Sequence, residues 1–147
     1  HKFTAAGELT SWPKYVGGPR QVRLTQTSGT YSIVRFEPQQ KVPEWVWSGA
    51  FTSVSKTQNE LSIVCESKYV PATTQKVDGE WSVLKVEGPL NFSLVGVLSS
   101  IVKPLADEGV SIFAISTFDT DYILVKSVNL SKAASLLEYS GHQVILD

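Results

Sequence analysis

WSVLKVEGPLNFSLVGVLSSIVKPLADEGVSIFAISTFDTDYILVK, residues 81–126, is the stretch of sequence that decides the fold. WSVLKVEG, VSIFAIST and DYILVK are typical of β-strands, because apolar and β-branched residues dominate them. Apolar residues between Leu94 and Leu105 recur at helical spacing, and a second helical segment, LSKAASLLEYS, precedes a last strand, HQVIL. The resulting order, β-α-β-β-α-β from Trp81, is the ferredoxin-like pattern, in which two helices cover one face of a four-stranded antiparallel sheet.

Both predicted helices begin and end at residues that suit those positions. Asn91 is expected to cap the first helix, which extends to about Glu108 and ends at Gly109. Asn129 is expected to cap the second helix, which Gly141 ends. These ends support the positions of the two helices in the predicted order.

The residues before Trp81 predict a smaller, β-rich unit. Residues 1–20 are rich in glycine, proline and polar residues and are expected to form a loose lead-in segment. Val22–Thr25 and Tyr31–Glu37 are interpreted as two strands joined by a turn at residues 27–29. FTSVSKTQNELSIVC, residues 51–65, is interpreted as a hairpin, so little room is left for a helix in this unit.

The chain also contains an internal repeat. Residues 51–65 align on residues 112–126 at a shift of 61 positions, and SIVRFEP (32–38) resembles SVLKVEGP (82–89) at a shift of 50. A shortened first helix accounts for the difference between the shifts. The predicted fold is therefore α+β, with two tandem ferredoxin-like modules that carry helices on one face of each sheet. The predicted division is a lead-in segment at 1–20, a degenerate first module at 21–78 and a complete second module at 79–147.

Composition and charge exclude several classes of protein. The chain is 42% hydrophobic with a net charge of −1, which argues against disorder and against a protein that coats nucleic acid. The longest uncharged stretch is too short and too polar to span a membrane, and no secretory leader is visible at the start. Cys65 is the single cysteine and lies in an apolar strand, which favours a reducing compartment and hence the cytoplasm.

Two phrases of the sequence are similar to a known family. EGPLNFS (87–93) and ISTFDTDYILVK (115–126) resemble the second module of small tandem ACT-domain proteins, which are related to the cytosolic arginine sensors of animals. The resemblance covers about residues 22–146 and implies two ACT modules packed side by side. It also implies a regulatory protein without catalysis that binds a small ligand, usually an amino acid. A homodimer and a regulatory partner protein are further expectations from the family.

The resemblance implies a ligand site at the loop after a first strand and at a strand-turn-strand phrase. The implied residues are Gly88 and Asn91 in the loop and Ser116, Thr117, Phe118, Asp119, Thr120 and Asp121 in the phrase. An amino acid needs a carboxylate for its ammonium group, and N–H groups or a cation for its carboxylate. Asp119 and Asp121 would supply the carboxylates, and the helix start after Gly88 would supply the N–H groups.

Other functions stay open at this point. If residues 116–121 form only a solvated turn, the chain is a protein-interaction module without a ligand. A hydrolase would use Cys65 with His142, or Asp119 with Asp121. However, Cys65 lies in an apolar strand, and no further group completes a site around the two aspartates. One cysteine and two histidines are too few for a zinc site, and the glycine motifs of nucleotide-binding loops are absent. Neither an enzyme nor a cofactor or metal is expected.

Overall fold

The computed structural model describes residues 21–87 and 96–147 of the chain. Within these ranges the chain forms seven β-strands and two α-helices, with three short 3-10 helices between them. The elements are β1 (Arg23–Phe36), a 3-10 helix (Glu44–Ser48), β2 (Ser53–Lys56), β3 (Leu61–Glu66), a 3-10 helix (Ser67–Tyr69), β4 (Val77–Val86), α1 (Val97–Asp107), β5 (Ile112–Ser116), β6 (Asp121–Lys126), a 3-10 helix (Ser127–Asn129), α2 (Leu130–Tyr139) and β7 (Gln143–Ile145). The α+β class predicted from the sequence is confirmed.

The strands form one sheet around a long central pair, β1 and β4. Six strands follow the order β2-β3-β1-β4-β6-β5, and neighbours in this row are antiparallel. The order β2-β3-β1-β4 is that of a ferredoxin-like unit, and β5, β6 and β4 are three strands of a second unit. The two units therefore share their central strands.

The last strand differs from the simplest version of that arrangement. In a ferredoxin-like unit that begins with β4, the final strand would lie beside β4. Here the first residues of β1 occupy that position, and β7 pairs in parallel with residues 23–25 of β1 instead. The start of β1 thus completes the second half of the sheet, while its end belongs to the first half.

β1 is a single strand of 14 residues, so the turn predicted at residues 27–29 is wrong. Gly29 has a φ of 98°, and the pairing of β1 with β4 shifts register between Thr27 and Tyr31. The phenol O–H of Tyr31 donates to the carbonyl of Ser28 at 3.1 Å across this irregularity. Glycine in a left-handed conformation lets the strand distort locally and continue, as in a β-bulge. The polar residues that suggested a turn mark this distortion.

The hairpins β2–β3 and β5–β6 repeat each other 60 positions apart, rather than at the predicted shift of 61. In the first turn, the N–H of Thr57 donates to the carbonyl of Glu60 at 2.9 Å. In the second turn, the N–H of Thr117 donates to the carbonyl of Thr120 at 2.8 Å. The sequence alignment was based on similar strand residues and not on the turns, so its shift is one position larger than the shift between the structures.

A serine pair joins each hairpin to a central strand. The Oγ atoms of Ser32 and Ser67 lie 2.7 Å apart, and those of Ser82 and Ser127 lie 2.8 Å apart. Ser32 and Ser82 are both buried in the central strands. The same bond therefore recurs at equivalent places in the two halves.

One face of the sheet is covered by helices. In the second half, α1 and α2 pack on an apolar cluster to which they contribute Ile101, Leu105 and Leu137, all fully buried. In the first half, the 3-10 helix at Glu44–Ser48 takes their place and inserts Val46 against β1 and β3. The first module is thus shorter in the helical layer that packs on its sheet.

The opposite face curls around a third apolar cluster. Its buried members are Tyr31, Phe51, Val64, Trp81, Val83 and Leu124. The ring centroids of Phe51 and Tyr122 lie 4.4 Å apart, although they come from segments near opposite edges of the sheet. A narrow cleft of about 270 Å³ separates the edge strands β2 and β5. Curling therefore lets this face bury its apolar residues without a helix.

The helix starts differ from the predicted caps. α1 begins at Val97, and Gly96 precedes it in a left-handed conformation with a φ of 83°. The predicted cap, Asn91, lies outside the described residues. α2 begins at Leu130 directly after Asn129, as predicted, but the Asn129 side chain makes no capping hydrogen bond. Neither α-helix of the described ranges has the length and apolar character that crossing a bilayer requires.

Candidate functional site

The predicted strand-turn-strand site is a compact turn between β5 and β6. The hydroxyl of Ser116 donates to Oδ1 of Asp121 at 2.6 Å. The hydroxyl of Thr117 donates to the carbonyl of Thr120 at 3.0 Å, and the N–H of Thr120 donates back to Thr117 Oγ1 at 3.4 Å. These polar groups, which were predicted to contact a ligand, hold the turn in shape.

Thr120 fastens the turn to the end of β4. Its side chain is buried, and its Oγ1 donates to the carbonyl of Val86 at 2.6 Å. The turn therefore lies beside the point at which the chain leaves β4. Gly88 and Asn91, the predicted loop residues, lie outside the described residues.

The tip of the turn faces solvent. Phe118 is 82% exposed, and Asp119 beside it is also exposed. The Asp119 carboxylate accepts no hydrogen bond from the residues that the structure describes. Of the two predicted carboxylates, Asp119 is thus the more accessible to an incoming cation, while Oδ1 of Asp121 already accepts a bond from Ser116.

A cleft of about 490 Å³ opens on the other side of β4, where β1 begins and β7 runs beside it. We name this space the 23–87 cleft. Its lining residues are Gln21, Val22, Arg23, Glu87, Gly141 and Gln143. It combines one guanidinium group, one carboxylate and two amides, and it owes this combination to the insertion of β1 between β4 and β7.

Hydrogen bonds hold the backbone of Glu87 and the side chain of Arg23 in the 23–87 cleft. The N–H of Glu87 donates to the carbonyl of Arg23 at 2.8 Å, which extends the β1–β4 pairing past the end of β4. The Nε–H of Arg23 donates to Oε1 of Gln143 at 3.0 Å. This bond uses one of the five guanidinium N–H groups, and the other four make no bond with the described residues. A guanidinium held by Gln143, in a cleft that a carboxylate also lines, offers a partner for each charge of a free amino acid.

Comparisons with known proteins identify the fold. A model of the ACT domain matches residues 76–139, and a second model, of an N-terminal domain, matches residues 29–73. A crystal structure of a protein from Agrobacterium tumefaciens is 38% identical, with a TM-score of 0.82, and the match covers 86% of this chain and 94% of that chain. Residues 76–139 of the chain therefore form an ACT domain. The resemblance inferred from EGPLNFS and ISTFDTDYILVK is confirmed.

Two more distant comparisons match only part of each relative. The cytosolic arginine sensor for mTORC1 subunit 1 of Bos taurus is 29% identical over an alignment of 91 positions, and the match covers 55% of this chain and 28% of that protein. The matched part is therefore less than a third of that sensor. Aspartate kinase from Clostridium acetobutylicum has a TM-score of 0.58 at 12% identity, covering 77% of this chain and 33% of the kinase chain, and it shows the shared fold.

The catalytic pair of Cys65 and His142 is not formed in this ACT fold. Cys65 is buried beneath the 3-10 helix at Glu44–Ser48, and burial raises the pKa of its thiol to about 11. His142 instead accepts the N–H of Val22 on Nδ1 and contacts the carbonyl of Ser100 through Nε2, each at 3.1 Å. Within residues 21–87 and 96–147, His, Cys, Asp and Glu side chains do not form a group of three that could hold a metal ion.

Sequence reasoning missed the polar residues of the 23–87 cleft. Arg23 was assigned to the first module, because β1 was interpreted as two strands. Its position beside Glu87 depends on the long β1–β4 pairing, which no local pattern predicts. One signal was available, since Glu87 directly precedes Gly88 in the phrase that resembles the ACT family.

Proposed function

We propose that this ACT protein is a regulatory protein without catalytic activity, and that it binds a free amino acid in the 23–87 cleft. The α-carboxylate of the ligand is received by Arg23, and its ammonium group by Glu87. The single observation that carries this proposal is that Arg23, whose guanidinium is held by Gln143, and Glu87 line the same cleft at the end of β4.

The geometry around the cleft supports this assignment of groups. The bond from Arg23 Nε to Gln143 holds the plane of the guanidinium, and a planar pair of N–H groups suits a carboxylate. The amides of Gln21 and Gln143 supply further donors and acceptors in the same space. The predicted loop residue Gly88 follows Glu87 directly in the sequence, and Asn91 comes four positions after Glu87. The turn that carries Asp119 is bonded to Val86.

The relatives support an amino-acid ligand and a regulatory role. One relative is named as an arginine sensor, and the aspartate kinase from Clostridium acetobutylicum is an allosteric enzyme. A cationic ligand side chain could extend toward Asp119, which would make a basic amino acid the preferred ligand. A homodimer, a regulatory partner protein and a cytoplasmic location are parts of the same proposal, and the buried free thiol of Cys65 favours the last.

Calorimetry and thermal unfolding with each of the twenty amino acids test the proposal. We expect at least one to raise the unfolding temperature at millimolar concentration, since a ligand at about 100 times its Kd stabilises by about 2.7 kcal/mol. Arg23→Gln and Glu87→Gln should each weaken binding about tenfold or more, because each removes a charged partner of the ligand. Asp119→Asn should weaken binding of basic amino acids alone.

Glu108→Gln is the matched control, because Glu108 is exposed at the end of α1 and lies outside the cleft. It should leave the affinity unchanged. No stabilisation by any amino acid would contradict the proposed function. Binding that both cleft variants leave intact would contradict the proposed site.

A further inference from the structure

A third cleft, larger than the two already described, lies at the other end of the central strand pair. It measures about 660 Å³, against about 490 Å³ for the 23–87 cleft, and falls within the range of small-molecule pockets. We name it the 35–76 cleft. Charged and aromatic side chains line it, namely Arg35, Phe36, Glu37, Trp45 and Lys76.

The two clefts occupy equivalent places in the repeat but carry different groups. Glu37 in the 35–76 cleft is 50 positions before Glu87, the same shift that relates Ser32 to Ser82. The two ends of the sheet therefore present related backbones with different chemistry, and one ligand need not suit both.

Charges in the 35–76 cleft leave one cation without a partner. Arg35 donates from Nη1 to Glu37 Oε2 at 2.6 Å and from Nη2 to the carbonyl of Asn59 at 2.8 Å. The bond and charge of Arg35 lower the pKa of Glu37, and the charge of Lys76 adds to the effect, so Glu37 stays ionised. The ammonium group of Lys76 makes no hydrogen bond or ion pair with the described residues. Two cations against one carboxylate leave an excess of one positive charge.

An apolar wall stands beside this charge. The rings of Trp45 and Phe36 meet edge to face, with centroids 6.3 Å apart, and Pro43 and Pro71 lie around the same space. Trp45 is held by its packing on the cluster below, so its ring is fixed before any ligand arrives. The 3-10 helix that carries Trp45 has five residues, and this short cover leaves the cleft open.

From these features we propose that the 35–76 cleft is a second ligand site, which binds a monoanion carried on a flat apolar body, such as an aromatic carboxylate. The anionic group pairs with the ammonium of Lys76, and the flat body packs on Trp45 and Phe36. The proposal does not depend on the 23–87 cleft, because the two sites share no residue.

Benzoate and indole-3-carboxylate are suitable probes, with benzamide and indole-3-carboxamide as neutral counterparts of the same shape. Calorimetry should show binding of both carboxylates and at least about tenfold weaker binding of both amides, because an ion pair with Lys76 is lost. Lys76→Gln should weaken carboxylate binding by about tenfold and remove most of the preference over the amides. Since Lys76 is exposed, this variant keeps the fold.

Two further variants separate the parts of the site. Trp45→Leu should weaken the binding of carboxylates and amides alike. Trp47→Leu, at a tryptophan that is 56% exposed and outside the cleft, should change the binding of neither.

Lys41→Gln is the control for general loss of charge, and Arg23→Gln is the control for the 23–87 cleft. The proposal is overturned if the carboxylates do not bind, if amides bind as tightly, or if Lys76→Gln behaves like Lys41→Gln. Loss of binding in Arg23→Gln would also overturn it, by moving the carboxylates to the other cleft.

Discussion

The two halves of the sheet share their hairpins and differ in their cover and charge. Glu66 and Lys126 lie 60 positions apart at equivalent points, each opposite an aromatic residue of a central strand. Burial and the charge of Glu66 raise the pKa of Tyr31 to about 12. Lys126 instead places its Nζ 4.7 Å from the ring centroid of Trp81 and donates to the carbonyl of Gly79. One backbone arrangement thus tolerates opposite charges at the same place.

The two halves differ in the helices that pack on the sheet, and this difference indicates which parts of the repeat the fold requires. The turns, the serine pairs and the strand order recur, while two α-helices in one half correspond to a five-residue 3-10 helix in the other. The first half keeps a buried cluster because β1 and β4 belong to both halves. A short cover is sufficient when the strands beneath it are already held by a neighbour.

Removing one buried side chain from each cover should produce the largest effects. Leu137→Ala in α2 should lower the free energy of unfolding by about 2–5 kcal/mol. Val46→Ala in the 3-10 helix should lower it by about 2 kcal/mol, because fewer buried carbon atoms are lost. Both side chains are 0% exposed, so the comparison is matched for burial. Urea unfolding, followed by circular dichroism and by tryptophan fluorescence, measures both changes.

The shape of these transitions tests whether the halves are coupled. Because β1 and β4 run through both halves, each variant should unfold in a single transition that the two signals report at the same urea concentration. Two separated transitions in either variant would show that the halves unfold independently and that the shared strands do not join them.

Cys65 and Val125 offer a smaller comparison that depends on pH. They lie 60 positions apart in β3 and β6, and both are buried. Burial raises the pKa of the Cys65 thiol from 9.0 to about 11, so the unfolded chain releases this proton at a lower pH than the folded chain. The associated stability is complete below pH 9 and is lost as the pH rises toward 11.

Cys65→Val places the residue of the second half into the first and removes this titration. Relative to its own value at pH 7, the native protein should lose about 1.4 kcal/mol more than Cys65→Val at pH 10. Denaturant unfolding of both proteins at pH 7, 9 and 10 gives the difference, and other titrating groups cancel because both chains contain them. Parallel pH profiles would mean that the thiol is not shielded from water.

The sequence was sufficient for elements whose pattern is local. The two hairpins, α2 after Asn129 and the α+β class follow from residue periodicity and turn chemistry within short windows. The single long β1 was not predictable in the same way, because Gly29 and its polar neighbours suit a turn as well as a bulge. Only the partner strand β4 decides between the two.

The candidate site was predictable in part for the same reason. The turn at residues 116–121 is continuous in the sequence, so its residues could be named together. Arg23 and Gln143 are 120 positions apart and meet only through the β1–β7 pairing, which depends on the whole sheet. The structural bond of Thr120 to the carbonyl of Val86 was also not predictable, because the two residues are 34 positions apart.

The serine pairs give the smallest effect and the closest test of the repeat. Ser32→Ala and Ser82→Ala each remove one hydroxyl bond from a buried position, and each should lower the free energy of unfolding by about 1 kcal/mol. The two losses should agree to within about 0.5 kcal/mol, while Ser135→Ala on the exposed side of α2 should change stability by less than about 0.5 kcal/mol. Urea unfolding of the three variants measures this. If Ser82→Ala cost far more than Ser32→Ala, the equal geometry of the pairs would not mean equal energy, and the surrounding cover would set the strength of the bond.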